Sequence, residues 1–123
     1  MRLIKFRVWD KHFKQMHYPN SIWRFLVHND GRLYYKTGCD KEENYILQQF
    51  TGLIDKNNKE IYEGDLVNFE YDTSENETEL ETNQEVFFED GIFYFGRKYH
   101  FAINDCNFHS RNSLKVVGNI FIN

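Results

Sequence analysis

Two cysteines and two histidines of this 123-residue chain have the side chains that zinc requires. Cys106 and His109 stand three residues apart, as metal ligands often do, while His100 and Cys39 lie elsewhere in the sequence. Structural zinc sites usually show two clear ligand pairs, and here there is one imperfect pair and one distant cysteine. The spacing favours a loop cysteine and exposed histidines, so we expect no metal and no cofactor.

Three carboxylates, Glu60, Glu63 and Asp65, stand close enough in sequence for general acid/base chemistry or metal binding. No histidine or serine with a partner role stands near them in the sequence. Asp65 directly follows Gly64, and at such a corner an aspartate accepts backbone hydrogen bonds from its own turn. We therefore predict that Gly64 and Asp65 are structural turn residues, that no residue is catalytic, and that the protein is not an enzyme.

Aromatic and basic residues alternate over residues 94–101 (YFGRKYHF). Such interleaving is typical of surfaces that stack single-stranded nucleic acid, although the segment does not fit the signature of the RNA recognition motif. In a hairpin, alternating rings more often form a buried face and a cross-strand ladder. The candidate residues for contact with nucleic acid or another partner are Arg7, Trp9, Lys11, Lys14, Tyr94, Arg97, Lys98 and Tyr99.

The net charge of −4 conceals three regions of different sign. Residues 1–41 carry +6, residues 42–91 carry −13, and residues 92–123 carry +3. In one compact domain this pattern favours complementary charges that fold together over a dedicated basic face for an anionic partner. Binding of single-stranded nucleic acid is therefore the alternative, and a protein partner is the main expectation.

The composition favours a thin β architecture with an aromatic core. Twelve Phe, eight Tyr and two Trp are many for a chain of this length, which is suited to one domain. No apolar run approaches the roughly 18 residues of a membrane span, and the N-terminus lacks the apolar stretch of a signal peptide. We expect a single domain over residues 1–123, located in the cytoplasm without membrane contact.

Period-two alternation and turn residues predict many short strands. The pairs Asp30-Gly31 and Asp90-Gly91 predict tight hairpin turns, and Gly118 predicts a bulge. Residues 40–50 are ambiguous, because Asp40 and Glu43 imitate a helix-capping box, but a strand over 45–50 is favoured. The predicted strands cover residues 3–9, 13–18, 22–27, 32–36, 45–50, 66–71, 86–88, 92–95, 99–103 and 114–122.

Residues 72–85 hold six acidic residues, no basic ones and one apolar side chain, Leu80. So little apolar surface does not offset the entropy of ordering the chain, which predicts a mobile acidic loop. The predicted core consists of apolar residues on one face of each strand. Its members are Ile4, Phe6, Val8, Leu47, Leu53, Ile61, Leu66, Val67, Phe87, Ile92, Val117 and Ile120.

The central stretch, TGLIDKNNKEIYEGDLV over residues 51–67, predicts a hairpin with a polar tip followed by a sharp second corner. Together with the opening IKFRVWDKHFKQM and the closing EDGIF and VVGNIF, it resembles the YopX family of phage and prophage proteins. The likeness spans the whole chain, but residues 72–85 and 96–113 match nothing in that pattern.

The resemblance implies a mainly β fold with a small, partly open SH3-like barrel, to which N-terminal strands and hairpins are added. It assigns no activity and no catalytic residues. The expected function is that of an uncharacterised accessory protein of a phage or prophage, acting without catalysis by binding a protein of phage or host origin. Exposed edge strands also make homo-oligomerisation an expectation.

Overall fold

The computed structural model describes residues 3–18, 25–27, 33–35, 44–72, 75–97, 101–102 and 113–122. These residues form a curled half-barrel sheet and a second sheet with almost no helix, which confirms the mainly β fold with a partly open, SH3-like barrel. The strands are β1 (Phe6–Asp10), β2 (Gln15–His17), β3 (Phe25–Val27), β4 (Leu33–Tyr35), β5 (Tyr45–Ile54), β6 (Glu60–Tyr62), β7 (Asp65–Asp72), β8 (Thr78–Glu89), β9 (Ile92–Phe95), β10 (Phe101–Ala102) and β11 (Lys115–Asn119).

The chain divides into two compact units, residues 1–50 and 51–123, where one domain was expected. The boundary falls inside β5, so the division does not coincide with a loop. That the two units fold together as one domain stays a prediction.

In the first unit, β1 pairs antiparallel with β2 on one side and with residues 45–49 of β5 on the other. The strand assignment for residues 45–50 is thereby confirmed over the helical alternative. The strands β3 and β4 form a separate antiparallel pair in which Val27 lies opposite Leu33, as the turn at 29–31 predicts. A central position leaves β1 buried from Arg7 to Asp10 on both of its faces.

In the second unit, the end of β5 continues into a hairpin with β6, and the corner after Tyr62 leads into β7. The five-stranded sheet has the order β10-β9-β8-β7-β11. Its core cluster is apolar and partly aromatic, and the rings of Phe69 and Phe95 meet edge to face with centroids 4.5 Å apart. The buried members of this cluster are Ile61, Val67, Phe69, Val86, Phe93, Phe95, Leu114 and Val116.

The β8–β9 hairpin has the tight turn that the sequence predicts. Glu89 lies opposite Ile92, so the loop is the two-residue Asp90-Gly91, with φ angles of 52° and 81°. Positive φ at both central residues matches a turn whose twist suits the flanking strands, and Asp-Gly tolerates it. The predicted bulge near Gly118 is also present, because the pairing of β11 with β7 shifts register between Val116 and Gly118.

The prediction of a loop over residues 72–85 is wrong for residues 78–85. These residues form the first part of β8 and pair with β7, where Phe69 lies opposite Glu81 and Tyr71 opposite Glu79. A second bulge interrupts the ladder near Asn83, whose φ is 54° and whose amide donates to Asn68 Oδ1 at 2.9 Å. Backbone pairing and one buried face of β7 order a segment that buries little apolar surface of its own.

The predicted core is correct for eight of its twelve residues and wrong for four. Val8, Ile61, Val67 and Phe87 are buried, and Phe6, Leu47, Leu53 and Leu66 are half-buried. The other four predicted core residues are exposed, with 39% to 60% of the residue surface accessible to solvent: Ile4, Ile92, Val117 and Ile120. Val117 fails because the bulge gives the inward position to its neighbour Val116.

Candidate interaction surfaces

The four-residue turn between β1 and β2, Lys11–Lys14, is the first candidate surface, and we call it the basic turn. Asp10 at the end of β1 is buried, and its Oδ1 accepts hydrogen bonds from the amides of His12 at 2.9 Å and Phe13 at 3.0 Å. An aspartate that caps a turn in this way fixes the backbone locally. The position of Phe13 is therefore set by hydrogen bonds and by strand pairing on both sides.

Phe13 has an exposed fraction of 73%, which is high for a phenylalanine. Lys11 and Lys14 on either side of it are exposed as well, and the His12 ring meets the Phe13 ring edge to face at 4.7 Å. A ring held in solvent forgoes the stabilisation of burial, about 1.5–3 kcal/mol for such a side chain. The basic turn thus presents an aromatic group between two cations on a fixed backbone.

Arg7 and Trp9, two of the predicted contact residues, do not belong to this surface. They are exposed by 2% and 5%, and Arg7 Nε donates to Gln48 Oε1 on the neighbouring strand at 2.8 Å. Arg7 lies on β1, which has a paired strand on each side, and its guanidinium is used in a hydrogen bond within the sheet. We therefore remove Arg7 and Trp9 from the candidate contact residues, whereas Lys11 and Lys14 stay.

Tyr94 lies in β9 of the second unit, and Arg97 follows the end of that strand by two residues. Arg97 Nε donates to Glu85 Oε2 at 3.0 Å, and its guanidinium lies 4.1 Å from the centre of the Phe87 ring. Tyr94 stacks on the same ring at 5.5 Å. The hydrogen bond to Glu85, assisted by the charges of Glu85 and Glu89, raises the pKa of Arg97 above its usual range.

This arrangement is the cross-strand ladder that alternating rings predict more often than a stacking platform. The Arg97 charge already faces two carboxylates, which reduces its attraction for phosphate. Lys98 and Tyr99, the two other predicted contact residues of this segment, lie outside the described residues. The same holds for Cys39, His100, Cys106 and His109, and no group that could hold a metal occurs among the described residues.

The corner after β6 is built on Gly64 and Asp65. Gly64 has a φ of 85°, its amide donates to Val86 O at 2.7 Å, and its carbonyl accepts from Ile120 N at 2.8 Å. Asp65 is buried, and its Oδ2 accepts from the Tyr62 amide at 2.8 Å. Both residues therefore hold the backbone of this corner together.

Asp55, at the tip of the β5–β6 hairpin, was missed by sequence reasoning. Its Oδ1 accepts from the amides of Asn57 at 2.8 Å and Lys59 at 2.9 Å, and its Oδ2 accepts from Val116 N at 2.9 Å on β11. The carboxylate therefore joins the hairpin tip to a strand 61 residues away. An aspartate that begins a polar tip was the available signal for the local contacts, but no local pattern indicates the distant one.

The electrostatics of Asp55 follow from these contacts. Burial of the carboxyl raises its pKa, but the three amide hydrogen bonds and the Lys59 charge act in the opposite direction and prevail. The pKa of Asp55 is consequently held below its ordinary value of 3.8. Such a group stays ionised and serves as a structural acceptor, not as a proton-transfer residue. We call Asp55, with the three amides that donate to it, the Asp55 clasp.

Comparison with known proteins decides the lineage of this fold. The model of the family described as YopX protein matches residues 5–123, which is nearly the whole chain. The chain belongs to the YopX family. The Asp55 clasp and the basic turn both lie within the residues that match the YopX family.

A solved structure agrees with the fold of this YopX family member. The crystal structure of protein EF1440 from Enterococcus faecalis is similar, with a TM-score of 0.61 and 24% sequence identity, over 98% of this chain and 95% of that one. This likeness shows the fold alone. No curated protein matches the chain. Among the described residues, no helix is long and apolar enough to cross a membrane.

Proposed function

We propose that this YopX family member is a non-enzymatic accessory protein of a phage or prophage that works in the bacterial cytoplasm by binding another protein. The observation that supports this most is the basic turn, where Asp10 fixes the backbone and Phe13 is exposed by 73%. Large aromatic rings are enriched in the buried cores of protein interfaces, where a ring fills a pocket of the partner.

The buried carboxylates support a role without catalysis. Asp10, Asp55 and Asp65 all accept hydrogen bonds from backbone amides, so their acceptor capacity is used to shape turns. The lowered pKa of Asp55 also makes it a poor proton donor near neutral pH. These residues account for local structure, and a reaction would need other groups.

Binding of single-stranded nucleic acid is the second candidate, because Lys11 and Lys14 flank the rings of His12 and Phe13. A site with two phosphate contacts gives a slope of about −1.4 for the logarithm of affinity against the logarithm of salt concentration. Such a site binds weakly at physiological salt. The second unit, with six basic residues against fourteen acidic ones, further repels a polyanion.

Two assays separate these functions. We expect a labelled single strand to show no saturable binding at low salt, while affinity capture from the host returns a partner in a stoichiometric amount. Binding of the strand that weakens with salt at the slope given above, without a captured protein, would favour the nucleic-acid function. Turnover in a broad hydrolase and nuclease screen, with no captured protein, would contradict both.

A further inference from the structure

The first part of β8 has a paired strand on one side only, among the strands that the structure describes. Residues 78–81 pair with residues 69–72 of β7, whereas β9 pairs with residues 86–89 at the other end of β8. β8 is 12 residues long and β9 only four, so β9 ends well before this part. The backbone N–H and C=O groups of successive residues point to opposite sides of a strand. Some backbone groups of this part therefore face away from β7, toward a side where no described strand lies.

Both β9 and β8 limit this side of the sheet. β9 ends at Phe95, and Gly96 follows with a φ of 76°, a conformation that interrupts an extended strand. On β8, the carbonyl of Thr82 already accepts a hydrogen bond from Gln84 Nε2 at 2.9 Å. The part of β8 that remains available for pairing is therefore residues 79–81, and we call it the open edge.

The side chains of the open edge alternate between the two faces of the sheet. Glu79 and Glu81 lie on the core-side face, where their partners on β7 are Tyr71 and Phe69. Leu80 lies on the opposite face and is exposed by 60%. The hydroxyl of Tyr71 donates to Glu79 Oε2 at 2.9 Å, which helps to hold that carboxylate in place. A strand that pairs with the open edge places one of its own residues directly across from each of these three.

The charges of the open edge decide which strand fits. Like charges directly across a ladder destabilise the pairing, and opposite charges stabilise it. A second copy that used the same edge would bring glutamates against glutamates, and charged side chains of this kind keep edge strands from pairing with themselves. The sequence has no lysine or arginine from Glu60 to Gly96, so chain neighbours do not neutralise the edge. The complementary occupant is therefore an extended basic segment.

We propose that the open edge binds an extended segment of another protein by strand addition, with a basic residue of that segment opposite each of Glu79 and Glu81 and an apolar residue opposite Leu80. Backbone hydrogen bonds give such a contact its affinity, and the alternating side chains give it specificity. The edge is short, so the binding is weak and sensitive to salt. This surface is separate from the basic turn, and the inference does not depend on what the basic turn binds.

Titration of dye-labelled peptides with the full chain, followed by fluorescence anisotropy at low salt, tests this contact. The probe is a capped peptide in which lysine and valine alternate. One control has the same residues with all lysines in one block, a second has glutamate in place of lysine, and a third is the alternating peptide with methylated backbone nitrogens. Each control should bind at least about tenfold more weakly, because it lacks the alternation, the charge or the backbone donors that the contact uses.

Hydrogen exchange then locates the bound peptide. The alternating peptide should slow backbone exchange in a fragment that contains residues 79–81, because backbone groups that face solvent in the free protein become paired. A fragment that contains the basic turn should exchange at an unchanged rate.

Glu81→Lys and Glu89→Lys change the charge by the same amount at two places on β8. Glu89 lies opposite Ile92, where β9 covers the strand, so Glu89→Lys is the matched control. Glu81→Lys should weaken binding of the lysine-valine peptide at least about tenfold and strengthen binding of the glutamate-valine peptide, whereas Glu89→Lys should change both less than about threefold. Unchanged circular dichroism and melting temperature are the folding controls, and the comparison of peptides on the wild type needs no variant.

Three results would overturn the inference: no saturable binding of the alternating peptide, equally tight binding of the methylated peptide, or equal effects of Glu81→Lys and Glu89→Lys. Equally tight binding of the methylated peptide would mean that charge attraction acts without strand addition. The proposed function is tested separately, because the loss of a captured partner in Phe13→Ala does not involve the open edge.

Discussion

Removal of the Asp55 carboxylate should destabilise the second unit strongly, because three backbone amides depend on it. In Asp55→Ala the Val116 amide loses its acceptor in a buried position, which costs about 1–3 kcal/mol. The amides of Asn57 and Lys59 lie at an exposed tip where water can replace the carboxylate, so each adds about 0.5 kcal/mol. The free energy of unfolding should fall by about 3 kcal/mol in total, equivalent to a melting temperature lower by about 10 °C.

Asp55→Asn separates hydrogen bonding from charge. A carboxamide has one acceptor oxygen, so it can serve either the tip amides or Val116, and its NH₂ group then faces a donor. We expect about half the loss of Asp55→Ala, measured by urea unfolding at about pH 7. Asn57→Ala is the matched control, since it retains the backbone amide and removes an exposed side chain, and it should lie within about 0.5 kcal/mol of the wild type.

The difference in unfolding free energy between the wild type and Asp55→Asn should also depend on pH, in a direction that the pKa of Asp55 fixes. The pKa of Asp55 is lower in the folded protein than its ordinary value of 3.8. A lowered carboxyl pKa contributes stability that is complete above that ordinary value and is lost as the pH falls through the folded pKa. The difference in unfolding free energy between wild type and Asp55→Asn should therefore narrow below about pH 4. This reasoning would be refuted by a difference that stays constant down to about pH 2. It would also be refuted if the unfolding free energy of Asp55→Ala lay within about 0.5 kcal/mol of the wild type, which is about the error of such measurements.

Three further perturbations test other parts of the structure. Gly64→Val should lower the unfolding free energy by more than about 1 kcal/mol, because valine is strained at a φ of 85°; an unchanged thermal melt would show that the corner tolerates side chains. Replacement of residues 75–82 by a Gly-Ser linker should cost about 2 kcal/mol in urea unfolding, because four cross-strand pairs with β7 are lost, and a melting temperature within a degree or two would mean that this pairing contributes little. A double-mutant cycle of Glu85→Gln and Arg97→Ala should give a coupling of about 0.5 kcal/mol, since the pair is exposed, and a coupling near zero would leave the ion pair without energetic effect.

The parts of the fold that sequence could predict depend on local chemistry. Asp90-Gly91 specifies a two-residue hairpin turn whatever lies around it, and Gly118 indicates a bulge because a glycine weakens a regular strand. The strand over residues 45–50 was also predictable, although Asp40 and Glu43 imitate a helix start. These features are decided by residues within a few positions of one another.

The parts that sequence could not predict depend on distant partners. The acidic residues before Glu85 form a strand because their backbone pairs with β7, and no pattern within residues 72–85 indicates this pairing. Arg7 resembles a surface cation until Gln48 is seen beside it on the neighbouring strand. Asp55 likewise needs Val116, 61 residues away, to become a clasp. Of the candidate contact residues, sequence supplied Lys11 and Lys14, but not Phe13, whose exposure breaks the alternation that marks a core residue.

Affinity capture from the host with three matched baits tests the central claim, that the basic turn is a protein-binding surface, most directly. The baits are the wild type, Phe13→Ala, and Arg97→Ala as a control that removes an exposed cation far from the turn in sequence. We predict a partner in a stoichiometric amount with the wild type and with Arg97→Ala, and its loss with Phe13→Ala. Retention of the same partner at the same amount by Phe13→Ala, in a bait with an unchanged melting temperature, would contradict the claim.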